Sequence, residues 1–475
     1  MSMNLLEILK PQSHVVVVGL GASGLSAVRF LLPLGVRISV SEGGRLEDLA
    51  GDKVGWLREK GVFLETGGHS SELLASADCL LVSPGVPPAL PALRAAAAKG
   101  IPLVGELALA PDFLKTPVVA VSGTNGKSTV TTLVGELLRS AGKKAFVGGN
   151  IGVPLTEYLA GEQDCDVAVL EVSSYQLDSA GAFRPGVGVL LNITPDHLDR
   201  YATYGEYAAS KLSLFRNQRP GDVAVLNADD GQIAAWLTEQ KDGRAPWPLA
   251  ASVRCFAAKE RAGLAAFLAG AIVVLPATEP GGATEEYDLT GTELAQAPNT
   301  ENAMAAILAA RAMGCGADAI RSGLDRFQPL AHRLALVGEI NGVAYYDDSK
   351  ATNVGAVWSA LSGMERPVIL IAGGRDKGGS YEMLAEPVKN RVKAMVIIGE
   401  AQEKMADFFA PLTYIVRAAD MAEAVQRATA LARPGDAVLL SPACASFDMF
   451  RSYGHRGEVF CRAVRDLASA EEARP

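Results

Sequence analysis

In VVAVSGTNGKSTVTTLVGELL, residues 118–138, Lys127, Ser128 and Thr129 directly follow a turn made of Gly123, Thr124, Asn125 and Gly126. An apolar, β-branched run (Val118 to Val121) leads into the turn. Behind it Val130, Leu133, Val134, Leu137 and Leu138 recur at helical spacing. A helix that starts at such a turn aims its unbonded N–H groups and the positive end of its dipole at whatever occupies the turn. Lys127 would neutralise outer phosphates there and Ser128 would ligate magnesium, so the stretch predicts a nucleoside triphosphate site. The spacing departs from GxxxxGK[ST], because Val121 stands where the first glycine would be. A strand–turn–helix joint that needs glycine only for its geometry is the bland alternative. It leaves the lysine and the paired hydroxyls without a role.

Other strand ends carry chemistry too. GLGASG (Gly19, Gly21, Gly24) follows an apolar strand, precedes a helix and is trailed by Glu42 at the distance of a ribose-binding acid. It reads as a second nucleotide or dinucleotide site, or as a tight turn with no ligand. Glu171 ends the apolar run of LEVSSYQL, where an unpaired carboxylate would be costly to bury. An acid on a strand beside a phosphate loop commonly holds magnesium, whereas the alternative is a capping or surface glutamate. His197, between Asp196 and Asp199 in NITPDHLDRY, is either a ligand or a structural hydrogen-bonder, and the two acids are either ligands or turn residues. DDSKATN (347–353) and AGGRDKGG (372–379) supply Lys350 and Lys377, which suit a transferring phosphate or a carboxylate. Cys444, in SPACASFDMFRSYGHRG, has an apolar setting and no histidine–acid partner in view, so it reads as inert.

The elements that position these residues alternate between strand and helix along all 475 residues. At about 150 residues per domain the chain makes three. HVVVVGL, VRISVSE and CLLVSPGV read as buried parallel strands, with GASGLSAVRFLLPLG as the first helix and Gly35 as its stop. Pro111 and Pro117 bracket a linker. PVVAVSG, VAVLEVSSYQL, GVGVLLNITPDH and DVAVLNADD build a second α/β region, followed by a helix over APNTENAMAAILAARAMG capped by Asn299. PVILIAGG, AMVIIGE and DAVLLSPA repeat the pattern after a boundary near Gln328. The fold class is α/β: a Rossmann-like N-terminal domain (1–115), a central P-loop ATPase-like domain (116–328) and a C-terminal Rossmann-like domain (329–475). A net charge of −9 argues against a nucleic-acid partner. Six scattered cysteines without a CxxC pair indicate a reducing compartment. The start lacks the pattern of a signal peptide, and LAAFLAGAIVVLPA is too short to span a bilayer. We expect a cytoplasmic monomer without a membrane partner.

Taken in order, GTNGKST, LEVSSYQL, NITPDHLDRY with the later AASK, NTENAMAA and AHRLALV resemble the shared motifs of the Mur ligases, ATP-dependent amide-forming enzymes of peptidoglycan precursor synthesis. Folate-polyglutamate ligases share the early motifs. DDSKATN and LSPACASFDMF…GHRGEVF resemble the branch that adds D-glutamate, which implies UDP-N-acetylmuramoyl-L-alanine, D-glutamate and ATP as substrates. The resemblance implies that Gly123 to Thr129 hold ATP, with Asn302 on the adenine and Arg333 and Asp348 also on the nucleotide. It implies two magnesium ions held by Ser128, Glu171, His197 and Lys211, the last as a carbamate formed from carbon dioxide. It makes Lys127, His197, Lys211 and Lys350 catalytic, and places Thr352, Lys377, Ser446 and Tyr453 around D-glutamate. Gly21, Ala22, Ser23, Ser83, Gly85, Asn150 and His197 would meet the UDP-sugar. Family members often carry an acid directly after the second strand; here Ser41 comes first and then Glu42, so either could meet the UDP group. Two rival readings remain, a nicotinamide-dependent dehydrogenase and a non-catalytic ATP-binding switch.

Overall fold

The structure, a computed structural model, describes residues 4–197, 200–277, 282–328, 331–376 and 380–472. The described residues form three sheets. The N-terminal sheet has five parallel strands in the spatial order Phe63–Thr66, Arg37–Glu42, His14–Val18, Cys79–Val82, Leu103–Val104. Every residue of His14–Val18 is buried, as a β-branched run covered on both faces should be. Strand order reverses beside that strand, and the crevice at such a switch point lies at the carboxyl ends of the strands. The glycine loop follows His14–Val18, and Ser83 to Val86 follow its neighbour.

The central sheet has nine strands. Val118–Ser122 lies between Val187–Leu190 and Val167–Glu171, all parallel, with Ala145–Gly149 at the edge. Beyond Val223–Asn227 and Ser252–Ala257 the sheet continues through Ala266–Ala269, Ile272–Leu275 and Glu285–Asp288, and the last three pair antiparallel. The long apolar stretch LAAFLAGAIVVLPA is thus a hairpin turned at Gly270. Helix Lys127–Ser140 buries Val130, Leu133, Val134, Leu137 and Leu138, the predicted face. The C-terminal sheet runs Ala335–Ile340, Val343–Asp347, Ala437–Leu440, Val368–Gly373, Val392–Ile398, Tyr414–Arg417, parallel except for its first strand.

The structure bears on two local expectations. The linker between the first two sheets is ordered: it begins with a 3₁₀ turn, Glu106–Leu109, and a helical turn, Ala110–Phe113, with Leu107 and Leu109 buried. Buried Glu106 anchors it by accepting hydrogen bonds from Thr156 N (2.8 Å) and Oγ1 (3.1 Å) and from Gln176 Nε2 (3.3 Å). Asn299 is the first residue of helix Asn299–Ala312 rather than its cap, and its side-chain amide donates to the Glu293 carbonyl. By compactness the chain divides into two units. The first holds the N-terminal sheet and the central sheet; the second holds the C-terminal sheet with residues 194–207 and 291–300.

Candidate functional site

In the first unit the phosphate-type loop spans Gly123 to Gly126 between strand Val118–Ser122 and helix Lys127–Ser140. Gly126 has φ +85°, and a Cβ there would lie 2.4 Å from Asn302 Oδ1, so only glycine fits. Lys127 Nζ donates to the carbonyls of Gly123 and Thr124, both at 2.8 Å. Ser128 and Thr129, in the first helical turn, are both buried. Asn192, just beyond strand Val187–Leu190, clasps the loop from the other side. Its Oδ1 accepts from Asn125 N (2.8 Å), its Nδ2 donates to Asn125 O (3.1 Å), and its carbonyl accepts from Thr124 N (2.9 Å). Sequence reasoning assigned nothing to Asn192; an amide directly after an apolar strand was the available signal. Asn302 is buried against the loop at Gly126.

Glu171 is the last residue of Val167–Glu171, pairs with Val121 and is 2% exposed. Its Oε1 accepts from Asn150 Nδ2 at 2.8 Å. Its Oε2 is buried and has no hydrogen-bond partner among the described residues. A carboxylate oxygen so placed is costly unless a cation or water meets it. Among the described residues no group of three or more His, Cys, Asp or Glu side chains could hold a metal unaided. Magnesium commonly uses one or two carboxylates and takes its remaining oxygens from phosphate and water. Glu171 and the Ser128 hydroxyl fit that pattern. Lys211, near the end of helix Tyr204–Leu212, is 2% exposed and donates through Nζ to the Gly123 carbonyl at 2.8 Å. It is therefore packed against the phosphate-type loop, unlike a solvated helix lysine.

At the N-terminal sheet, Gly21 caps helix Ala22–Leu31, which also carries Ser23, and Ser83 Oγ donates to the Gly19 carbonyl at 3.0 Å, tying the two crevice loops together. Gly85 lies in the second loop, after Ser83 and Pro84. Ser41 is fully buried, with its hydroxyl 2.8 Å from both Glu65 Oε2 and His69 Nδ1. Glu42 is half-buried and turns its carboxylate onto Leu20 N (2.5 Å) and Gly44 N (2.8 Å) at the mouth of the glycine loop.

The second unit holds His197 in left-handed backbone, φ +56°, a conformation a non-glycine residue seldom adopts without compensation. Its N–H donates to Asp196 Oδ1 (2.9 Å), and its Nε2 lies 3.6 Å from Asp196 Oδ2. Asp199 and Lys377 lie outside the described residues. Strand Val343–Asp347 runs into Asp348, which is buried and accepts from Ser441 Oγ (2.7 Å) and Leu334 N (3.2 Å). Burial pushes its carboxyl up to about 7, against the opposing pull of Ser441 and nearby Arg333. Lys350 Nζ sits over the Tyr453 ring, 5.3 Å from its centre. Thr352 is half-buried in the same loop, and Ser446 is buried in the facing one. Both loops are tied by Arg456, which the sequence reading passed over. Its fully buried guanidinium donates to Ser349 Oγ (3.0 Å) and to the carbonyls of Ser349 (2.8 Å), Cys444 (3.1 Å) and Ala445 (3.4 Å). Burial raises the Cys444 thiol to about 11, which suits the inert reading.

Comparison with known proteins follows the same three-part division. Residues 13–105 match the family model "Mur ligase MurD-like, N-terminal domain", 121–310 match "Mur ligase middle domain" and 332–444 match "Mur ligase, glutamate ligase domain". A UDP-N-acetylmuramoylalanine–D-glutamate ligase of Syntrophotalea carbinolica is 44% identical over 96% of this chain and 98% of its own. The protein of that name from Desulfosudis oleivorans is 45% identical over 97% and 98%. In fold, a pseudomurein peptide ligase type C from Methanothermus fervidus superposes with a TM-score of 0.60 at 18% identity, covering 96% of this chain and 100% of its own. A UDP-N-acetylmuramate–alanine ligase from Thermotoga maritima gives 0.57 at 17%, covering 96% and 99%. With three family domains in order and end-to-end relatives well above 30% identity, the chain belongs to the Mur ligase family.

Proposed function

We propose that this chain is the ADP-forming ligase that joins D-glutamate to UDP-N-acetylmuramoyl-L-alanine in peptidoglycan synthesis. The observation that carries this reading is similarity along nearly the whole chain, at 44% and 45% identity, to two ligases named for that reaction. A carboxylate is a poor electrophile, so the L-alanyl carboxylate first attacks the γ-phosphorus of ATP, releasing ADP and leaving an acyl phosphate. The free amine of D-glutamate then adds to the acyl carbon. The tetrahedral adduct expels inorganic phosphate, and the nitrogen gives up a proton to complete the amide.

Residues of the phosphate-type loop, Gly123 to Thr129, are assigned to the ATP phosphates, with the Lys127 ammonium leaving its carbonyl partners to meet them. Asn302 and Arg333 are assigned to the nucleotide as well, together with Asp348. Ser128 and Glu171 would hold one magnesium, and His197 and carbamylated Lys211 a second; bound there, the ions stabilise negative charge on transferring phosphoryl oxygens. Carbamylation suits Lys211 chemically: it turns a repelling ammonium into an anionic oxygen donor and keeps one N–H for the Gly123 carbonyl. Ser23, Ser83, Gly21, Ala22 and Gly85 are assigned to the UDP group, together with Asn150 and His197. Glu42 is the better of the two candidates after the second strand, because Ser41 is fully buried whereas Glu42 is half-buried at the mouth of the glycine loop. Lys350, Thr352, Lys377, Ser446 and Tyr453 are assigned to D-glutamate and its approach. On this reading residues 1–115, 116–328 and 329–475 bind UDP-sugar, ATP and amino acid respectively, in a cytoplasmic monomer. The deciding assay follows ADP release from ATP with UDP-N-acetylmuramoyl-L-alanine, with and without D-glutamate. Turnover independent of D-glutamate, or sustained equally by another amino acid, rejects the proposal.

A further inference from the structure

We infer that Asn150 is a positioning residue that orients the Glu171 carboxylate for a divalent cation; the inference rests on the metal role proposed for Glu171. Strands Ala145–Gly149 and Val167–Glu171 are parallel neighbours that end together, Gly149 opposite Glu171. At that point the edge strand turns. Gly149 has φ +97°, and a Cβ on it would come within 2.5 Å of the Glu171 carbonyl. Without that side chain the next residue falls directly against the acid. Asn150 N donates to the Glu171 carbonyl (2.9 Å) while Asn150 Nδ2 donates to Glu171 Oε1 (2.8 Å). Gly149 N bonds the Val153 carbonyl (2.8 Å), which closes the loop behind Asn150.

One oxygen of a buried carboxylate is thereby satisfied and its rotation is stopped; the other, Oε2, is left without a partner among the described residues. That asymmetry favours one-oxygen ligation of a small, hard cation, which tolerates little deviation from its preferred geometry. Only the NH₂ group of an amide can donate to an ionised carboxylate, so the bond also sets which way the amide faces. Its Oδ1 points away from Glu171 as an acceptor, and Asn150 is itself exposed. A ligand group that donates to Oδ1 would therefore strengthen the hold on the metal-facing acid.

The test measures Mn²⁺ binding by electron paramagnetic resonance on the ADP-saturated full-length protein, beside ADP affinity in EDTA and the Mg²⁺ dependence of turnover. Removing an outer partner of a metal ligand commonly weakens metal binding by about 10–100-fold. Asn150→Ala is expected to weaken Mn²⁺ about tenfold, to leave metal-free ADP affinity unchanged, and to raise the Mg²⁺ concentration needed for half-maximal turnover, while the maximum itself also reflects the contact assigned to the UDP-sugar. Asn150→Ser, too short to reach Oε1, carries the same expectation should the alanine variant melt early. Wild-type Mn²⁺ affinity in a folded Asn150 variant overturns the inference. Glu171→Gln separates the two levels: unchanged Mn²⁺ binding in that variant overturns the proposed metal role itself, whereas loss there with none in the Asn150 variants overturns only the positioning role.

Discussion

Asn192 offers the most direct test of how the phosphate-type loop is held. Asn192→Ala removes both side-chain bonds to Asn125, at 2.8 and 3.1 Å, while the backbone bond from Thr124 N to the residue-192 carbonyl stays available. A net contribution of about 0.5–1.5 kcal/mol per hydrogen bond gives roughly 1–3 kcal/mol for holding the loop. If that order is required for phosphate binding, the same quantity appears in nucleotide affinity as a loss of about 5- to 150-fold. Asn125 is only half-buried, so water can replace part of the clasp and the lower half of the range is expected. Asn192→Asp should be worse than alanine. It sets an acceptor against the Asn125 carbonyl and adds negative charge beside the proposed phosphates. Calorimetric titration with ADP, paired with thermal melting and with titration of UDP-N-acetylmuramoyl-L-alanine as a control, reads these effects. An ADP affinity within twofold of wild type in both variants refutes the clasp as a determinant of phosphate binding.

Three further outcomes are expected. Lys127→Ala should lower ATP turnover by at least about a hundredfold, as loss of a charged group at a developing negative charge does, and a phosphate-release assay checks it. Asp348 keeps a proton in the folded state up to about pH 7, whereas the unfolded chain gives it up near 4, so between those values the folded state binds more protons and stability falls as pH rises. The decline is up to about 1.4 kcal/mol per pH unit. In Asp348→Asn that slope should vanish, and a stability difference from wild type that stays constant between pH 5 and 7 in urea unfolding contradicts it. Arg456→Met keeps the bulk but strips donors from Ser349 Oγ and three carbonyls, so unfolding free energy should fall by roughly 2–4 kcal/mol, measured by the same denaturation.

What the sequence made legible was chemistry that depends on residue type at a strand end. The loop glycines, Lys127, the buried helix face and the terminal position of Glu171 all follow from local spacing, because a parallel strand followed by a turn and a helix leaves few alternatives. The less legible residues act on partners far along the chain. Asn192 holds a loop 67 residues upstream, Arg456 reaches Ser349 across 107, and Glu106 meets Thr156 across 50. Residue type shows that such side chains can bond; only tertiary structure shows to what. Ser41 and Glu42 illustrate the difference. Adjacent strand residues face opposite sides of a sheet, so one is sealed inside with Glu65 while the other returns to the loop, and which is which depends on register. The hairpin near the edge of the central sheet hid for a related reason: an apolar run interrupted by one glycine does not announce a turn.

The segment that links the first two sheets bears on how the reaction is arranged. Glu106 is buried, and burial raises its carboxyl above the ordinary range even though Thr156 and Gln176 donate to it. Thr156 in turn bonds Ser26 Oγ (2.8 Å), on the helix that follows the glycine loop, and Gln176 closes a capping box with Ser173 just after Glu171. The N-terminal sheet and the central sheet are thereby joined by a bonded polar path inside one compact unit. A UDP-sugar-peptide is a long substrate with its recognition group at one end and its reacting carboxylate at the other. If UDP sits at the glycine loop and ATP at Gly123–Thr129, a stiff junction holds those two ends at a set separation, and binding energy collected at the UDP end can position the carboxylate for attack on the γ-phosphorus. A flexible connection would lose that advantage to conformational entropy.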